Sequence, residues 1–366
     1  MTQISELHDI LSNFIDWNKS RLDCLAQILR ALLQVRTVNL TQIAAAFQTD
    51  VKEESSYRRI CRFFTSFSFD ISVIVTIVLQ LFPLDGQWLL ILDRTNWKWG
   101  KTPINILMLS IAYKGIGIPL FWVVLDLEGN SSTKDRISIL KRVIERFGAS
   151  RIMAFTADRE FVGHEWFDFL CSQKIPFIIR AKGCYKADGI LEECKVRLDT
   201  LCKGLGRKQL LNKQIVLWGL PLYISIEKRK GAKEPMIVVS NVKFQNALEL
   251  YRMRWAIETL FGCLKTRGFR MEDTHMIDPD KIEKLLFVLT IAFCWAYRVG
   301  DIIAEEKTIP VKSHGRPAKS RFRRGLDKLR HMIFKKVSKQ EFKRVLELFL
   351  PKKRNNRILG SATLSG

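Results

Sequence analysis

The sequence has few of the residues on which zinc or disulfide chemistry depends. Its five histidines are scattered without the spacing of zinc ligands, and its eight cysteines form no CxxC pair. Several cysteines fall inside apolar, helix-like segments, so we expect reduced, packing thiols in a cytoplasmic protein. These absences argue against a zinc module and against a disulfide framework.

The sequence also has little that indicates a membrane protein. The start, MTQISELHDI, has neither a basic beginning nor an apolar segment, so no signal peptide is expected. The longest apolar run in a helical context, LLFVLTIAFCWAY at 285–297, is short for a bilayer span and is flanked by charges. We therefore expect no membrane partner.

Acidic residues are in the minority. The 60 Lys and Arg outnumber the 37 Asp and Glu, which gives a formal net charge of +23 at pH 7. Residues 311–357 hold 17 of these basic residues against 3 acids, so 14 of the excess positive charges lie there. This excess favours a polyanionic partner, because each phosphate that is neutralised releases condensed counterions.

The length and the apolar content predict several structural units around a large core. The chain has 366 residues, is 47% hydrophobic and contains 23 Phe and 9 Trp. Residues 1–80 lack strand alternation, and NLTQIAAAFQTD follows RLDCLAQILRALLQV as the short helix of a helix-turn-helix would. We predict a helical region that binds DNA, with a helical cap on the main domain as the alternative.

From Trp88 onward the pattern changes to buried strands that alternate with helices. Short apolar runs bounded by glycines predict strands, and segments of helical period that end at glycine or polar residues predict helices. The predicted order is β-β-β-α-β-α-β, an α/β fold with a mixed sheet and helices packed against it. The segments in chain order are WLLILD, NILMLSIAYKG, GIPLFWVVLDLEG, KDRISILKRVIERFG, RIMAFTAD, EWFDFLCSQK and IPFIIRA.

The remaining segments define the predicted domain limits. Residues 183–235 are rich in Gly and basic residues and contain the strand-like QIVLWG and LYISIEK, which predicts an inserted, mainly β subdomain. MIVVSN returns to the core, and the basic C-terminal segment keeps helical spacing. The predicted division is an N-terminal helical region at 1–80, a core at 81–182 and 236–305, the insertion at 183–235, and a basic helical region at 306–366.

Three acidic residues are placed to converge. Asp93 closes the first predicted strand in ILDRT, and Asp158 closes the fourth in TADREF. In the predicted order these strand ends lie side by side at the middle of the sheet. Glu258, on a helix after the last core strand, can complete a cluster of three carboxylates.

Such a cluster requires divalent cations, because close carboxylates repel one another unless they are neutralised. Mg²⁺ favours oxygen-only, octahedral sites and shares its coordination shell with waters and phosphate oxygens. Two ions about 3.5–4 Å apart can activate an attacking hydroxyl and stabilise the leaving oxygen of a phosphodiester. We therefore expect two Mg²⁺ ions, for which Mn²⁺ can substitute, on Asp93, Asp158 and Glu258.

The segment YRMRWAIETLFGCLK carries other polar residues beside the glutamate. At about 100° per residue, positions 251, 254, 258 and 265 fall within an arc of about 60° on one helix. Tyr251, Arg254 and Lys265 are suited to grip phosphates. A solvated Arg–Glu pair at i,i+4 is the alternative interpretation.

This segment fits Y-x2-R-x3-E-x6-K without a gap and so resembles the signature of the DDE transposases of the IS4 family. ILDRT resembles that family's D-x-T around its first aspartate, and ADREF resembles its second motif. The resemblance covers residues 88–270 firmly and implies an RNase H-like core. It also implies a metal-binding catalytic triad of Asp93, Asp158 and Glu258, with contacts to transposon-end phosphates from Tyr251, Arg254 and Lys265.

Members of that family cut double-stranded DNA at terminal inverted repeats and join the 3′-OH ends to target DNA. The resemblance therefore implies a homodimer on DNA in the bacterial cytoplasm, associated with the nucleoid. Two alternatives stay open: a nuclease without strand transfer, and an inactive derivative that only binds DNA. Members with a hairpin intermediate stack an aromatic residue of the β insertion on a flipped base. The position matched here is Met236, which is not aromatic; Trp218 is the candidate substitute, with an ordinary core aromatic as the alternative.

Other residues have two interpretations each. Arg321, Arg323 and Arg324 in GRPAKSRFRRGLDKLR are expected to follow a DNA backbone, with a solvated helix face as the alternative. Glu160 is either an auxiliary ligand or a capping or salt-bridge residue. A structural role is expected for His164 and a packing role for Trp97 and Trp99, with DNA stacking as the alternative for the two tryptophans.

Overall fold

The computed structural model describes most of the chain. Parts of the predicted insertion and of the basic C-terminal region, including residues 351–357, lie outside the described residues. The described ranges are 3–125, 128–191, 194–202, 209–228, 231–232, 234–313, 315–334 and 339–350.

Residues 3–81 form helices joined by short loops, as their spacing predicts. Polar side chains cap three of them: Asn18, Asn39 and Asp70 each accept a hydrogen bond from a backbone N–H of the first turn. Eleven of the 17 residues of the second helix are buried, and its buried apolar side chains belong to the main hydrophobic core. The five helices are α1 (Gln3–Leu11), α2 (Lys19–Val35), α3 (Leu40–Ala45), α4 (Glu53–Ser66) and α5 (Ile71–Leu81).

The core sheet has the predicted β-β-β-α-β-α-β order. Three antiparallel strands, β1 (Trp88–Trp99), β2 (Thr102–Tyr113) and β3 (Ile116–Leu125), are followed by two strands parallel to β1. The strand order β3-β2-β1-β4-β5 confirms the mixed, RNase H-like sheet. The elements after β3 are α6 (Thr133–Phe147), β4 (Ile152–Ala157), α7 (His164–Ser172) and β5 (Phe177–Arg180).

The inserted strands continue the core sheet instead of forming a separate one. The strand that returns to the core, Met236–Ser240, pairs antiparallel with β5 on one edge and with an insertion strand on the other. Within the part of the chain that the structure describes, one sheet of ten strands results. Local sequence patterns do not predict this continuity, because strand pairing is non-local. These strands are β6 (Lys186–Leu191), β7 (Cys194–Arg197), β8 (Gln209–Leu217), β9 (Leu220–Glu227) and β10 (Met236–Ser240).

The single helix predicted across residues 251–265 is wrong. The chain forms α8 (Ala247–Arg252) and α9 (Trp255–Leu264), with a break at Met253 and Arg254. Helix α9 packs against β1, β2 and β3 at close range. A Cβ added at Gly117 on β3 would lie 3.2 Å from the Cα of Ile257, so this glycine allows the approach that holds the Glu258 segment on the sheet.

The apolar run 285–297 is part of α10 (Pro279–Glu306), a helix of 28 residues. By length and composition α10 is sufficient for a membrane span, but 89% of its apolar window is buried inside the protein. It is packed as a core helix, with α11 (Arg321–Phe334) against it and α12 (Lys339–Leu346) after that. Gly300 and Gly325 permit this contact, since an added Cβ at either would meet backbone oxygen of the other helix at 1.8 Å.

Candidate active site

Two aspartates lie beside each other on the core sheet, Asp93 within β1 and Asp158 directly after the neighbouring β4. The expectation that Asp93 ends its strand is wrong, because β1 continues to Trp99 as a ribbon paired with β2. The parallel pairing of β1 with β4, however, stops at Leu92 and Ala157. Asp93 and Asp158 therefore follow the last paired residues of adjacent strands, which is the side-by-side placement that the element order predicts.

Arg254 connects two of the carboxylates. Its Nη1 donates a hydrogen bond to Oδ2 of Asp93 at 2.6 Å and lies 3.5 Å from Oε1 of Glu258. Asp93 is only 8% exposed, and Arg254 is buried as well. A single guanidinium thus holds the first and third residues of the predicted triad together.

Asp158 has different partners. Its Oδ1 accepts a hydrogen bond from the hydroxyl of Tyr251 at 3.1 Å and lies 3.9 Å from Nη1 of Arg180. Tyr251 on α8 and Arg254 in the turn before α9 thus each contact a different aspartate.

The electrostatics of the site favour an additional cation. Burial raises the pKa of Asp93 to about 7, against the lowering effect of the Arg254 charge and of the hydrogen bond from the backbone N–H of Arg94. Glu258 and Glu160 raise it further. Burial also raises the pKa of Tyr251 to about 12, and the neighbouring Asp158 charge acts in the same direction.

A second ion pair links the two aspartate segments. Arg94, next to Asp93, donates from Nε and Nη2 to the two carboxylate oxygens of Glu160 at 2.7 and 3.1 Å. Its Nη1 also donates to Oδ1 of Asn105 at 3.0 Å. Glu160 therefore has the salt-bridge role among its predicted alternatives. Sequence reasoning did not single out Arg94, since its partner is 66 positions away.

Lys265 lies outside the carboxylate cluster. It caps the C-terminal end of α9, and its Nζ pairs with Oε1 of Glu272 at 2.7 Å. The same Nζ lies 5.8 Å from the ring centroid of Trp97, which explains the packing of that tryptophan. Of the four residues predicted on one arc, Tyr251, Arg254 and Glu258 thus belong to the site, and Lys265 lies at its edge.

The helix break exposes two apolar side chains beside the site. Trp255 is 66% exposed and Met253, in the turn between α8 and α9, is 45% exposed. An exposed tryptophan next to buried, charged Arg254 is suited to stacking on a nucleic-acid base. The sequence contains no signal that separates it from a packing residue.

The other predicted aromatic residues contact neighbouring rings, although Trp99 is 39% exposed and Trp218 is 36% exposed. Trp218 lies in the turn between β8 and β9, with its ring centroid 5.4 Å from that of Tyr185 and 5.8 Å from that of Phe167. Its centroid is 6.3 Å from that of His164. Trp99 stacks on His275 with the ring centroids 4.2 Å apart. Met236, the position matched to the base-stacking aromatic, is the first residue of β10.

The three C-terminal arginines all contact the protein. Nε of Arg321 lies 3.1 Å from Oδ1 of the buried Asp301, and Nε of Arg323 lies 3.0 Å from Oδ1 of Asp327. Nη1 of Arg324 donates to the carbonyl oxygen of Lys307 at 2.7 Å. The predicted DNA contacts of these residues therefore involve side chains that already have intramolecular partners.

The carboxylates fit a divalent metal in kind. All three supply the hard oxygen donors that Mg²⁺ prefers, and the Arg254 guanidinium shows that a cation fits between Asp93 and Glu258. Within the described ranges, no three His, Cys, Asp or Glu side chains are gathered closely enough to hold an ion. Metal binding by all three carboxylates thus requires Arg254 to leave its present position.

The sheet order and its paired aspartates define an RNase H-like protein with a carboxylate site. The family described as "Transposase DDE domain" matches residues 85–295, which is more than half of the chain, and the protein belongs to this family. DDE transposase domains generally use divalent metal ions. No curated protein matches the chain.

Among solved structures, the chain is similar to one described as a cryo-EM structure of a piggyBac transposase synaptic complex with hairpin DNA. The identity is 13% and the TM-score is 0.47, and the match covers 98% of this chain and 84% of that chain.

Proposed function

We propose that the protein is a DNA transposase of the IS4 family that cuts DNA at the terminal inverted repeats of an insertion sequence and joins the 3′-OH ends to target DNA. The observation that carries this proposal is the placement of Asp93 and Asp158 on adjacent strands, with Glu258 linked to Asp93 through Arg254. The membership of the transposase DDE domain family and the net charge of +23 support it.

In this proposal Asp93, Asp158 and Glu258 hold two Mg²⁺ ions, and Mn²⁺ can replace them. When bound, such ions activate an attacking hydroxyl and stabilise the leaving oxygen of a phosphodiester. Arg254, released from Asp93, is then available to a DNA phosphate with its bidentate fork. Tyr251 positions Asp158 through its hydroxyl and can transfer that hydrogen bond to a phosphate oxygen.

The surroundings of the site supply contacts to duplex DNA. Lys265 lies at the edge of the cluster, and its charge is available to a phosphate if Glu272 releases it. Trp255 projects into solvent beside Arg254, and we propose that it stacks on a base at the cleavage site. Replacing Trp255 with alanine should weaken the binding of DNA ends by about 1–3 kcal/mol, measured by fluorescence anisotropy. Unchanged affinity would leave Trp255 without this role.

We further propose that the protein acts as a homodimer on DNA in the bacterial cytoplasm, near the nucleoid. Six cysteines within the described residues are free, including the exposed Cys184, and a reducing compartment maintains such thiols. Light scattering of the complex with a DNA end should give two protein chains, and a fluorescent fusion should co-localise with the chromosome. A monomeric complex or a membrane-bound fusion would contradict these assignments.

The direct test uses a labelled DNA end that carries the repeats flanking the gene, a target plasmid, and Mg²⁺, Mn²⁺ or EDTA. The proposal expects nicked and joined products with either metal and none with EDTA or with Asp93→Ala. Nicking without joining would favour the nuclease alternative. Binding without any cleavage would favour the inactive DNA-binding derivative.

A further inference from the structure

Five arginines from three separate parts of the chain meet at one surface, here called the arginine cluster. Arg36 follows the end of α2, Arg267 and Arg270 follow α9, and Arg323 and Arg330 lie on α11. Nη2 of Arg36 donates to the carbonyl oxygen of Arg267 at 3.2 Å. Helix α11 joins through Nε of Arg330, which donates to the carbonyl oxygen of Gln34 at 3.2 Å.

The arginine cluster has more positive charge than its neighbours neutralise. Burial lowers the pKa of Arg36, and the charges of Arg323, Arg330 and Arg270 lower it further. Asp327 acts against them but already pairs with Arg323 and with Lys319, each at 3.0 Å, and Oδ2 of Asp273 lies 4.0 Å from Nη1 of Arg270. Nε of Arg36 is buried and has no hydrogen-bond partner among the described residues. Crowded like charges destabilise the free protein, and an anion would relieve them.

The arginine cluster is connected to the candidate active site through a short loop. The backbone N–H of Arg270 donates to the carbonyl oxygen of Lys265 at 2.8 Å, so the loop turns back directly after the lysine. Arg270 has a φ of 52° and Arg36 a φ of 62°, a left-handed conformation that residues other than glycine seldom adopt. The side chain of Arg267 folds beside Gly262, where an added Cβ would lie 3.1 Å from its Nε.

We propose that the arginine cluster binds the phosphate backbone of duplex DNA, beyond the carboxylate site and past Lys265. The proposal rests on the function proposed above and adds a second DNA contact to it. Guanidinium groups match phosphate geometry with paired hydrogen bonds, and such contacts position a duplex without reading its sequence. Because the arginine cluster joins the N-terminal helices, the core and the C-terminal helix, DNA bound there contacts all three regions.

The test measures binding of a labelled duplex of random sequence in EDTA, so that cleavage does not contribute. The variant is Arg267→Gln with Arg270→Gln, whose side chains are exposed. Its slope of log K against log salt should be shallower than the wild-type slope by about 0.9 for each phosphate that is no longer neutralised, or about 1.8 in all. The matched control is Lys134→Gln with Lys141→Gln, which removes two exposed charges from α6, outside the arginine cluster.

An unchanged slope in the arginine variant, or an equal change in the α6 control, would overturn the proposal. Circular dichroism and thermal unfolding check that both variants fold, and Arg267→Lys with Arg270→Lys, which keeps the charge, should restore most of the slope. The result is separable from the proposed function. If wild-type protein binds through the arginine cluster but neither cuts nor joins repeat ends, the function fails and the DNA contact stands. If it cuts and joins while the slopes are equal, only the DNA contact fails.

Discussion

Asp93 and Asp301 are both buried aspartates in ion pairs with arginine, but their surroundings differ. Asp301 is 0% exposed and is enclosed by a hydroxyl and three cations. Asp93 has the Arg254 guanidinium and one backbone N–H, and it also lies near the acids Glu258 and Glu160. The partners of Asp301 are the Tyr113 hydroxyl at 3.0 Å, Lys114 Nζ at 3.0 Å, Arg298 Nη1 at 3.1 Å and Arg321 Nε at 3.1 Å.

The difference separates a structural network from a candidate reaction centre. Around Asp301 the positive charge exceeds the negative charge of the one carboxylate, and the groups connect β2, α10 and α11. Around Asp93 the acids are in excess, and burial holds the pKa of this carboxyl at about 7. A buried carboxylate with too few cations is expensive unless a ligand supplies the missing charge.

The largest expected effect follows from removing the acids of the reaction centre. Asp93→Ala, Asp158→Ala or Glu258→Ala should each abolish cleavage of a repeat end, because each removes a proposed metal ligand. Binding of the DNA end in EDTA should remain largely intact, and this measurement is the control. Cleavage near the wild-type rate in any one variant would remove that residue from the triad.

The next effect is on stability and belongs to the structural network. Asp301→Ala should lower the free energy of unfolding by about 3–5 kcal/mol, because it leaves buried Arg298 and the Tyr113 hydroxyl without their partner. Urea unfolding in EDTA measures this. Glu305→Ala, which removes only the exposed partner of Lys114, is the matched control and should cost less than about 1 kcal/mol. Equal decreases in the free energy of unfolding of the two variants would contradict the structural role assigned to Asp301.

Arg254 is the cation beside Asp93, so replacing it should increase the excess of acids that distinguishes Asp93 from Asp301. Arg254→Gln should raise the apparent affinity for Mg²⁺ by about tenfold, or about 1.4 kcal/mol, because no guanidinium must be displaced from Asp93. The measurement is the Mg²⁺ dependence of thermal unfolding without DNA. Glu258→Gln should instead weaken it. The rate of cleavage by Arg254→Gln and by Arg254→Lys should fall, because neither side chain has the arginine fork. An unchanged rate in Arg254→Lys would exclude a bidentate contact of Arg254 with a phosphate.

The next prediction concerns Lys265, which lies at the edge of the reaction centre. Lys265→Ala should reduce the affinity for a DNA end and reduce cleavage with it, with a salt slope shallower by about 0.9 because one fewer phosphate is neutralised. The Mg²⁺ dependence should stay as in the wild type, since Lys265 pairs with Glu272 and not with the carboxylates of the site. A changed Mg²⁺ requirement would place Lys265 inside the metal cluster.

The most gradual effect, which accumulates over about three pH units, is the pH dependence that Asp93 adds to stability. Its folded pKa of about 7 is above the ordinary 3.8, so the folded state binds more protons than the unfolded state between these values. Its contribution is fully present below about pH 4 and is lost as the pH rises to about 7. In EDTA, the unfolding free energy of wild type minus that of Asp93→Asn should fall by at most about 1.4 kcal/mol per pH unit over this range. A flat difference would show that Asp93 titrates normally.

The sequence was informative where structure depends on local pattern. Buried apolar runs and helical spacing gave the order of the core elements, and that order placed Asp93 and Asp158 on adjacent strands. The helix break at Arg254 was missed because its residues suit a helix locally. The hydrogen-bond partners of Arg254 and Tyr251 are 161 and 93 positions away in the chain, and a local sequence periodicity cannot predict such distant contacts. The same applies to Tyr113 and Asp301, which are 188 positions apart.

The position of β10 between β5 and β9 has a consequence for shortened chains. With the insertion at 183–235 present, β10 has pairing partners on both sides. A chain that lacks this segment would expose the N–H and C=O groups of MIVVS along one edge, and an unpaired apolar edge is a template for further strands. The insertion therefore covers this edge of β10, and a version of the protein without it would need a charged or proline-containing replacement for β10 to avoid edge-to-edge pairing.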